Sequence, residues 1–587
     1  MRRPATPSAV ASDDTSLPAF PGPPVHASSF CDALARFFTE LGVKQAFGVV
    51  GGAIAPFAEA LQRSPIQVIH TRHEGGAAFA AAEAHLVSRR PTVVFATTGP
   101  GLLNALTGLM AARWDGAKVI IVTGTTPAAQ RGRWATQETS AHTTPMDGLF
   151  STGPLFHYAT QIEDTAELQQ VAARVVSGVA RPGGFVCHLA LPLNLQTRES
   201  PAGFELPSVG WHGGGVAPSV VRACVERLSQ NDFALRLGFG AREAASAVRA
   251  LAERAGCAVM CTPRGKGIFP ETHPQFVGVT GVGGHASVDA YMSAHRPHYT
   301  LVLGSRLGEI SSCWSKRLVP PGGFIHVDID PDVPGAAYPH AKTFGVQADI
   351  GAFLEALVAA WPQGARPPTP KFVAVERPET LTPSSEGPAR PQFVVQAVQR
   401  VCVEAARALV MAEAGNAFIW CVSLTRIPEA TQYRVSSEFG SMGHFVTGVV
   451  GAALARGAPA VAVVGDGAML MNNEISTAVQ YRAHAVWVVL NDSQYGMVEQ
   501  GMRAQGYTPV ETALPATNFA TFAQAQGAVG IRVEREADLE AALAEALRIR
   551  GPVVVDVVTD PSVVPQAVSR RIEALMQQGA KGPGGRS

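Results

Sequence analysis

An α/β fold made of three consecutive parallel-sheet domains is predicted by three observations. Short apolar runs rich in β-branched residues alternate with alanine-rich stretches of helical period along most of the chain. Two of those runs, Ala460-Val461-Ala462-Val463-Val464 and Ala485-Val486-Trp487-Val488-Val489-Leu490, are separated by one helix-length segment, 473–482, as in a βαβ unit. Finally, 587 residues are too many for one core, and polar, glycine- and proline-rich stretches interrupt them.

Taken in order, residues 1–27 hold Pro4, Pro7, Pro18, Pro21, Pro23 and Pro24 among small and polar types and predict a disordered tail. A first domain spans 28–198, with strands at 45–50, 92–96 and 119–123 and an alanine-rich helix near 75–88. A polar stretch with Pro201, Pro207 and Gly213-Gly214-Gly215 leads to a middle domain, 212–361, with strands at 234–238, 299–303 and 324–328. A proline-rich linker, 362–391, crosses to the third domain, 392–576, and 577–587 is frayed.

Charged residues make up 16% and balance at 47 basic and 47 acidic, so no whole-chain field draws nucleic acid or an anionic membrane. No uninterrupted apolar stretch reaches the roughly 18 residues of a membrane span. The eight cysteines are scattered without a CxxC pair, which disfavours disulfide or thiolate-metal frameworks and fits a reducing cytoplasm.

Candidate chemistry lies at the ends of the two runs, which close in Gly465-Asp466-Gly467 and Asn491-Asp492. Parallel neighbours end side by side at the ligand edge of a sheet. Asp466 and Asp492 offer hard oxygen ligands for Mg²⁺, and the glycines let backbone approach a diphosphate. A bare Gly-Asp-Gly also suits a surface turn; the second half of the motif tips the balance. In order, spacing and residue type the pair resembles the diphosphate-anchoring motif of thiamine diphosphate (ThDP) enzymes, with Asp492 where an asparagine is usual.

The resemblance extends over nearly the whole chain and is nearest to the acetolactate (acetohydroxyacid) synthase-like group, because Tyr495-Gly496-Met497-Val498 also follows that pattern. It implies a metal set of Asp466, Asp492 and the Gln494 carbonyl. It also implies cofactor contacts from Gly465, Gly467, Ala468, Tyr495, Gly496 and Met497. Glu413-Ala414-Gly415-Asn416 resembles the first diphosphate loop, so Gly415 and Asn416 join that set. Phe439-Gly440-Ser441-Met442-Gly443 resembles the segment whose bulky residue, here Met442, wedges the cofactor into a V, with Gly440 and Ser441 beside it. Ordinary core filling is the competing role for a methionine.

In the first domain, Thr71-Arg72-His73-Glu74-Gly75 resembles the family's arginine-histidine-glutamate segment. Glu74 then matches the glutamate that exchanges a proton with N1′ of the aminopyrimidine; a first-turn helix residue is the plainer alternative. Gly51 and Gly52, then Thr98, Gly99 and Asn104, match two further cofactor loops. Gln137 matches a polar group facing the substrate, and Val50, Gln137, Met497 and Gly501 are expected in the substrate pocket, Gly501 standing where biosynthetic relatives have tryptophan.

The function so implied is a ThDP- and Mg²⁺-dependent carboligase, which decarboxylates a pyruvate-like 2-oxo acid and adds the enamine to a second carbonyl compound. The product is of acetolactate or acyloin type, with bulky substrates admitted. A 2-oxo acid decarboxylase, a flavin-dependent oxidase and a non-catalytic cofactor-binding partner subunit are the alternatives. FAD is disfavoured because Gly304-Ser305-Arg306-Leu307-Gly308-Glu309 keeps only the arginine of the flavin segment. Ile325-His326-Val327-Asp328-Ile329-Asp330 is read as a strand end and not a metal site. Family architecture implies at least a homodimer, extending to a tetramer.

Overall fold

The computed structural model describes residues 28–139, 147–209, 215–364, 374–376 and 379–565. The expected terminal tails, 1–27 and 577–587, lie outside them. Three six-stranded sheets follow one another, and every pairing within them is parallel. The first holds β1 Gln45–Gly48, β2 Gln67–His70, β3 Thr92–Ala96, β4 Lys118–Thr125, β5 Tyr158–Gln161 and β6 Phe185–Pro192. The second holds β7 Phe233–Leu237, β8 Ala258–Cys261, β9 Phe276–Val279, β10 Tyr299–Leu303, β11 Phe324–Asp328 and β12 Thr343–Gln347. The third holds β13 Leu409–Ala412, β14 Tyr433–Val435, β15 Ala460–Gly465, β16 Ala485–Asn491, β17 Val529–Val533 and β18 Val553–Val558.

Strand order explains where ligands can sit. The first sheet runs β2-β1-β3-β4-β6-β5 and the third repeats that topology as β14-β13-β15-β16-β18-β17. In both, the order reverses between the first and third strands of the sheet, which opens a crevice at their C-terminal ends. For the first sheet those ends lead into Gly51-Gly52 and Thr97-Thr98-Gly99; for the third, into Gly415-Asn416 and Gly465-Asp466. The middle sheet, β12-β11-β10-β7-β8-β9, is a doubly wound order with its switch between β7 and β10. At that switch point the two strand-end loops touch. Gly240 N donates to Gly304 O (3.0 Å), and a side chain at Gly238 would overlap the same carbonyl.

The helices Glu74–Ser88 and His444–Arg456 join the first and third domains face to face. Both are apolar almost all round, as befits helices buried on most sides. Their close approach depends on small residues: any Cβ at Gly451 would collide with the backbone of Ala80. The linker is less free than proline content suggests. Ser384 N and the Arg390 guanidinium both bond Glu536, whose side chain is fully buried, which pins the linker's second half to the third domain.

Candidate active site

β15 and β16 pair in register, Gly465 opposite Leu490, so Asp466 and Asp492 emerge together at the sheet edge. Gly467 N donates to Asp466 Oδ1 at 2.7 Å. Burial, then the charge of Asp492, pushes the Asp466 carboxyl up to about 7 against N–H donors from Gly467, Ser493 and Gln494. Burial likewise pushes Asp492 up to about 6, although the Gln494 side chain and backbone bond it. Two neighbouring carboxylates that resist ionising are short of positive charge.

Beside them the same pocket is short of negative charge. Two helices start at its wall, Asn416–Leu424 and Gly496–Ala504, and neither has a side-chain cap on its first N–H groups. A Cβ at Gly496 would stand 3.1 Å from Asn416 Nδ2 and 3.2 Å from Asp492 Oδ2, so glycine is what lets these two groups flank the backbone. Asn416 Oδ1 and Ser441 Oγ are buried without a hydrogen-bond partner. Open N–H ends, orphaned polar atoms and an uncompensated carboxylate pair together fit a divalent cation carrying a diphosphate. Gly415, Ala468, Tyr495 and Met497 line this pocket, and Met442 stands half-exposed on it.

Sheet 1 assembles a second group. Glu74 opens its helix, and the His73 cap accepts from Gly75 N through Nδ1 (3.0 Å). The Glu74 side chain is buried, and Oε2 accepts from Asn104 Nδ2 at 3.1 Å. Thr98 Oγ1 donates to Gln137 O (3.2 Å), and a Cβ at Gly99, φ +63°, would stand 2.5 Å from that carbonyl oxygen, so the two loops meet. The Gln137 side chain itself points to solvent, and Val50 is exposed. No residue of this group lines the Asp466 pocket: within one chain the expected site is divided in two. The expected substrate pocket is divided with it. Met497 lies beside Asp492, Gly501 follows on the same helix with open space around its Cβ position, and Val50 and Gln137 belong to the other half.

Two buried clusters escaped the sequence reading. Glu413 is buried, caps the His444–Arg456 helix by accepting from Phe445 N (2.8 Å) and Val446 N (3.1 Å), and so holds the turn that carries Met442. At the junction of all three domains, Arg434 donates to both oxygens of Glu83 (2.9 and 2.7 Å) and approaches Asp115 at 3.5 Å. Arg264 reaches Asp115 from the middle domain at 3.4 Å, and His444 Nε2 donates to Glu83 at 2.9 Å. Burial alone would raise the Glu83 carboxyl; Arg434 and then His444 hold it down at about 2. Glu83, Asp115 and His444 converge as metal ligands would, but Arg434 already occupies the place of the cation. No sequence signal marked this junction, because its members lie some 350 residues apart.

Comparison with known proteins agrees with this geometry. The chain matches three thiamine pyrophosphate enzyme models: the N-terminal TPP binding domain over 29–144, the central domain over 221–357 and the C-terminal TPP binding domain over 413–557. It is 29% identical to a putative acetolactate synthase large subunit of Mycobacterium tuberculosis, over 85% of this chain and 91% of that protein. It is 27% identical to the acetolactate synthase isozyme 1 large subunit of Escherichia coli, over 90% and 93% respectively. Its fold matches the crystal structure of benzoylformate decarboxylase from Polynucleobacter necessarius with a TM-score of 0.79 at 20% identity, covering 92% of this chain and all of that one.

Proposed function

Since the chain belongs to the thiamine pyrophosphate enzyme family and is acetolactate synthase-like within it, we propose that it is a ThDP- and Mg²⁺-dependent carboligase. It would decarboxylate a pyruvate-like 2-oxo acid and join the remaining acyl carbon to a second carbonyl compound. The observation that carries the reading is that one pocket wall joins Asp466 and Asp492, whose carboxyls burial pushes up, with the open N–H ends of the helices Asn416–Leu424 and Gly496–Ala504, a setting for a cation that carries an anion. Asp466, Asp492 and the Gln494 carbonyl hold the metal; Gly415, Asn416, Gly440, Ser441, Gly465, Gly467, Ala468 and Gly496 serve the diphosphate. Tyr495, Met497 and the wedge Met442 hold the rings, with Gly51, Gly52, Thr98, Gly99 and Asn104 on the pyrimidine side.

Bound there, ThDP supplies a thiazolium carbon that attacks carbonyls and a ring that takes up the electrons of decarboxylation. Glu74 holds and moves the proton at pyrimidine N1′, and its burial keeps water from that exchange. Gln137 faces the substrate. A glycine at 501, where the resemblance expects tryptophan, supports a site wider than pyruvate needs.

Because Glu74 and Asp466 stand in separate halves, the working site needs two copies of the chain, at least a homodimer. The faces that would meet carry apolar side chains in solvent, Trp134 at 89% and Val498 at 53% exposure, with Leu103 and Leu470 also exposed. Among the described residues no helix is long and apolar enough to cross a membrane. All eight cysteines are free thiols, consistent with a cytoplasmic location. Flavin has no part in this reading, since Gly304-Ser305-Arg306-Leu307-Gly308-Glu309 keeps only the arginine of the flavin segment. Incubation with pyruvate, a panel of 2-oxo acids and aldehydes, ThDP and Mg²⁺, with products read by mass, tests the proposal. Aldehydes alone would make it a decarboxylase, a yellow protein releasing flavin would make it an oxidase, and no exchange of the thiazolium proton would make it a non-catalytic subunit.

A further inference from the structure

The loop that follows the Asp466–Met469 helix does not end at the metal edge. It reaches across to the first domain of its own chain and closes on the segment that carries Glu74. Glu474, buried, accepts there from Arg72 N (2.8 Å) and His73 N (3.1 Å), the two N–H groups immediately ahead of Glu74. Thr477 Oγ1 donates to the same carboxylate. In return the Arg72 side chain donates to Ser476 Oγ (2.9 Å) and Gln480 Oε1 (2.8 Å), and His70 N donates to the Tyr481 hydroxyl (2.8 Å). Gly76 lies against the Glu474 carboxylate so closely that a methyl group there would displace it.

We propose that Glu474 is a positioning residue for proton transfer by Glu74: from the diphosphate domain, it fixes the backbone turn that aims the acid–base carboxylate of the pyrimidine domain. The inference rests on the reading of Glu74 given above. A carboxylate suits the task because it is acceptor-only, whereas an amide would set its own N–H against one of two backbone N–H groups that have no other partner in a buried place. The loop also ties each chain's acid–base turn to its own metal strand, although in a dimer those two serve different cofactors.

The test uses the full-length protein and two variants, Glu474→Gln and Gly76→Ala. In the apo-protein, amides of the 72–76 segment should exchange deuterium faster in both. With ThDP and Mg²⁺ bound, thiazolium C2–H exchange and kcat should fall together by about 10- to 100-fold, the scale of a catalytic group displaced by about 1 Å. The dissociation constant for ThDP should stay within about threefold of wild type and the Tm should remain that of a folded enzyme, which a merely structural role would not allow. Gly76→Ala keeps the carboxylate and decides the matter should Glu474→Gln fold poorly. Unchanged exchange in the variants, beside a collapsed exchange in Glu74→Gln, overturns the positioning role. ThDP affinity lost in step with rate also overturns it, by moving Glu474 to the cofactor loop. If Glu74→Gln itself exchanges at the wild-type rate, the failure lies in the reading of Glu74.

Discussion

The junction of the three domains and the edge of the third sheet are both buried and both rich in charge, yet they are built on opposite rules. At the junction each carboxylate meets a guanidinium of this chain, and Glu83 is held ionised with its pKa near 2. At the sheet edge Asp466 and Asp492 meet each other, and their carboxyls rise to about 7 and about 6. It is at the junction, in Glu83, Asp115 and His444, that ligand-type atoms converge. The difference teaches that convergence is a poor sign of a metal site by itself. A site built for a ligand leaves its own charges unanswered, and a structural one answers them within the chain.

The comparison is broken most sharply at Asp466. Asp466→Ala should abolish saturable Mg²⁺-dependent ThDP binding in calorimetry, since a diphosphate without its bridging cation loses the dominant local charge. The Tm should hold or rise, because the substitution relieves carboxylate repulsion; a large fall in Tm would place Asp466 among the structural charges. Next in size, Glu74→Gln should bind ThDP normally and lose about two to four orders of magnitude in kcat, the range of a general acid–base group. Turnover near the wild-type rate would remove Glu74 from the reaction.

At the junction the effect should fall on stability. Glu83→Gln leaves the buried Arg434 with Asp115, at 3.5 Å, as its remaining carboxylate and should cost about 3–5 kcal/mol in reversible urea unfolding, with thiazolium C2–H exchange retained in the folded fraction. The pH dependence has a definite sign. The folded state binds this proton less readily than the unfolded chain does, so the contribution of Glu83 is complete above its ordinary value of 4.5 and is lost as pH falls towards about 2. The variant should therefore show a shallower loss of stability across that window; parallel curves would mean the pairing is not what stabilises the junction. The smallest effect is expected at Gly501, on the helix that carries the pocket-lining Met497. Gly501→Trp should lower kcat/KM for bulky 2-oxo acids by about tenfold relative to pyruvate, a side chain's worth of lost space. Equal losses across a size series would show that Gly501 does not set substrate width.

Much of this is legible in the sequence. The strand at Phe324–Asp328 was predicted residue for residue, and β15 and β16 to within a residue at each end, because a continuous β-branched run between turn residues leaves few alternatives. The motif residues at their ends were legible for the same reason: a glycine or aspartate at a strand terminus is a local signal. The linker was legible only as composition, and its attachment through Arg390 and Glu536 was not. Nor was the repetition of one strand order in the first and third sheets, since topology is a matter of which strands become neighbours.

By itself, then, the sequence determined the strands of its clearest apolar runs and the motif residues at their ends, signals that are local in the chain, and its length and composition marked out the division into successive α/β domains. Tertiary structure alone decided which charges are answered. Glu474 meets backbone 402 residues away, Glu83 meets an arginine 351 residues away, and Glu74 is kept apart from Asp466. Hydrogen bonding and desolvation act through space with no record of chain separation, so partners of this kind leave no pattern in the order of the amino acids.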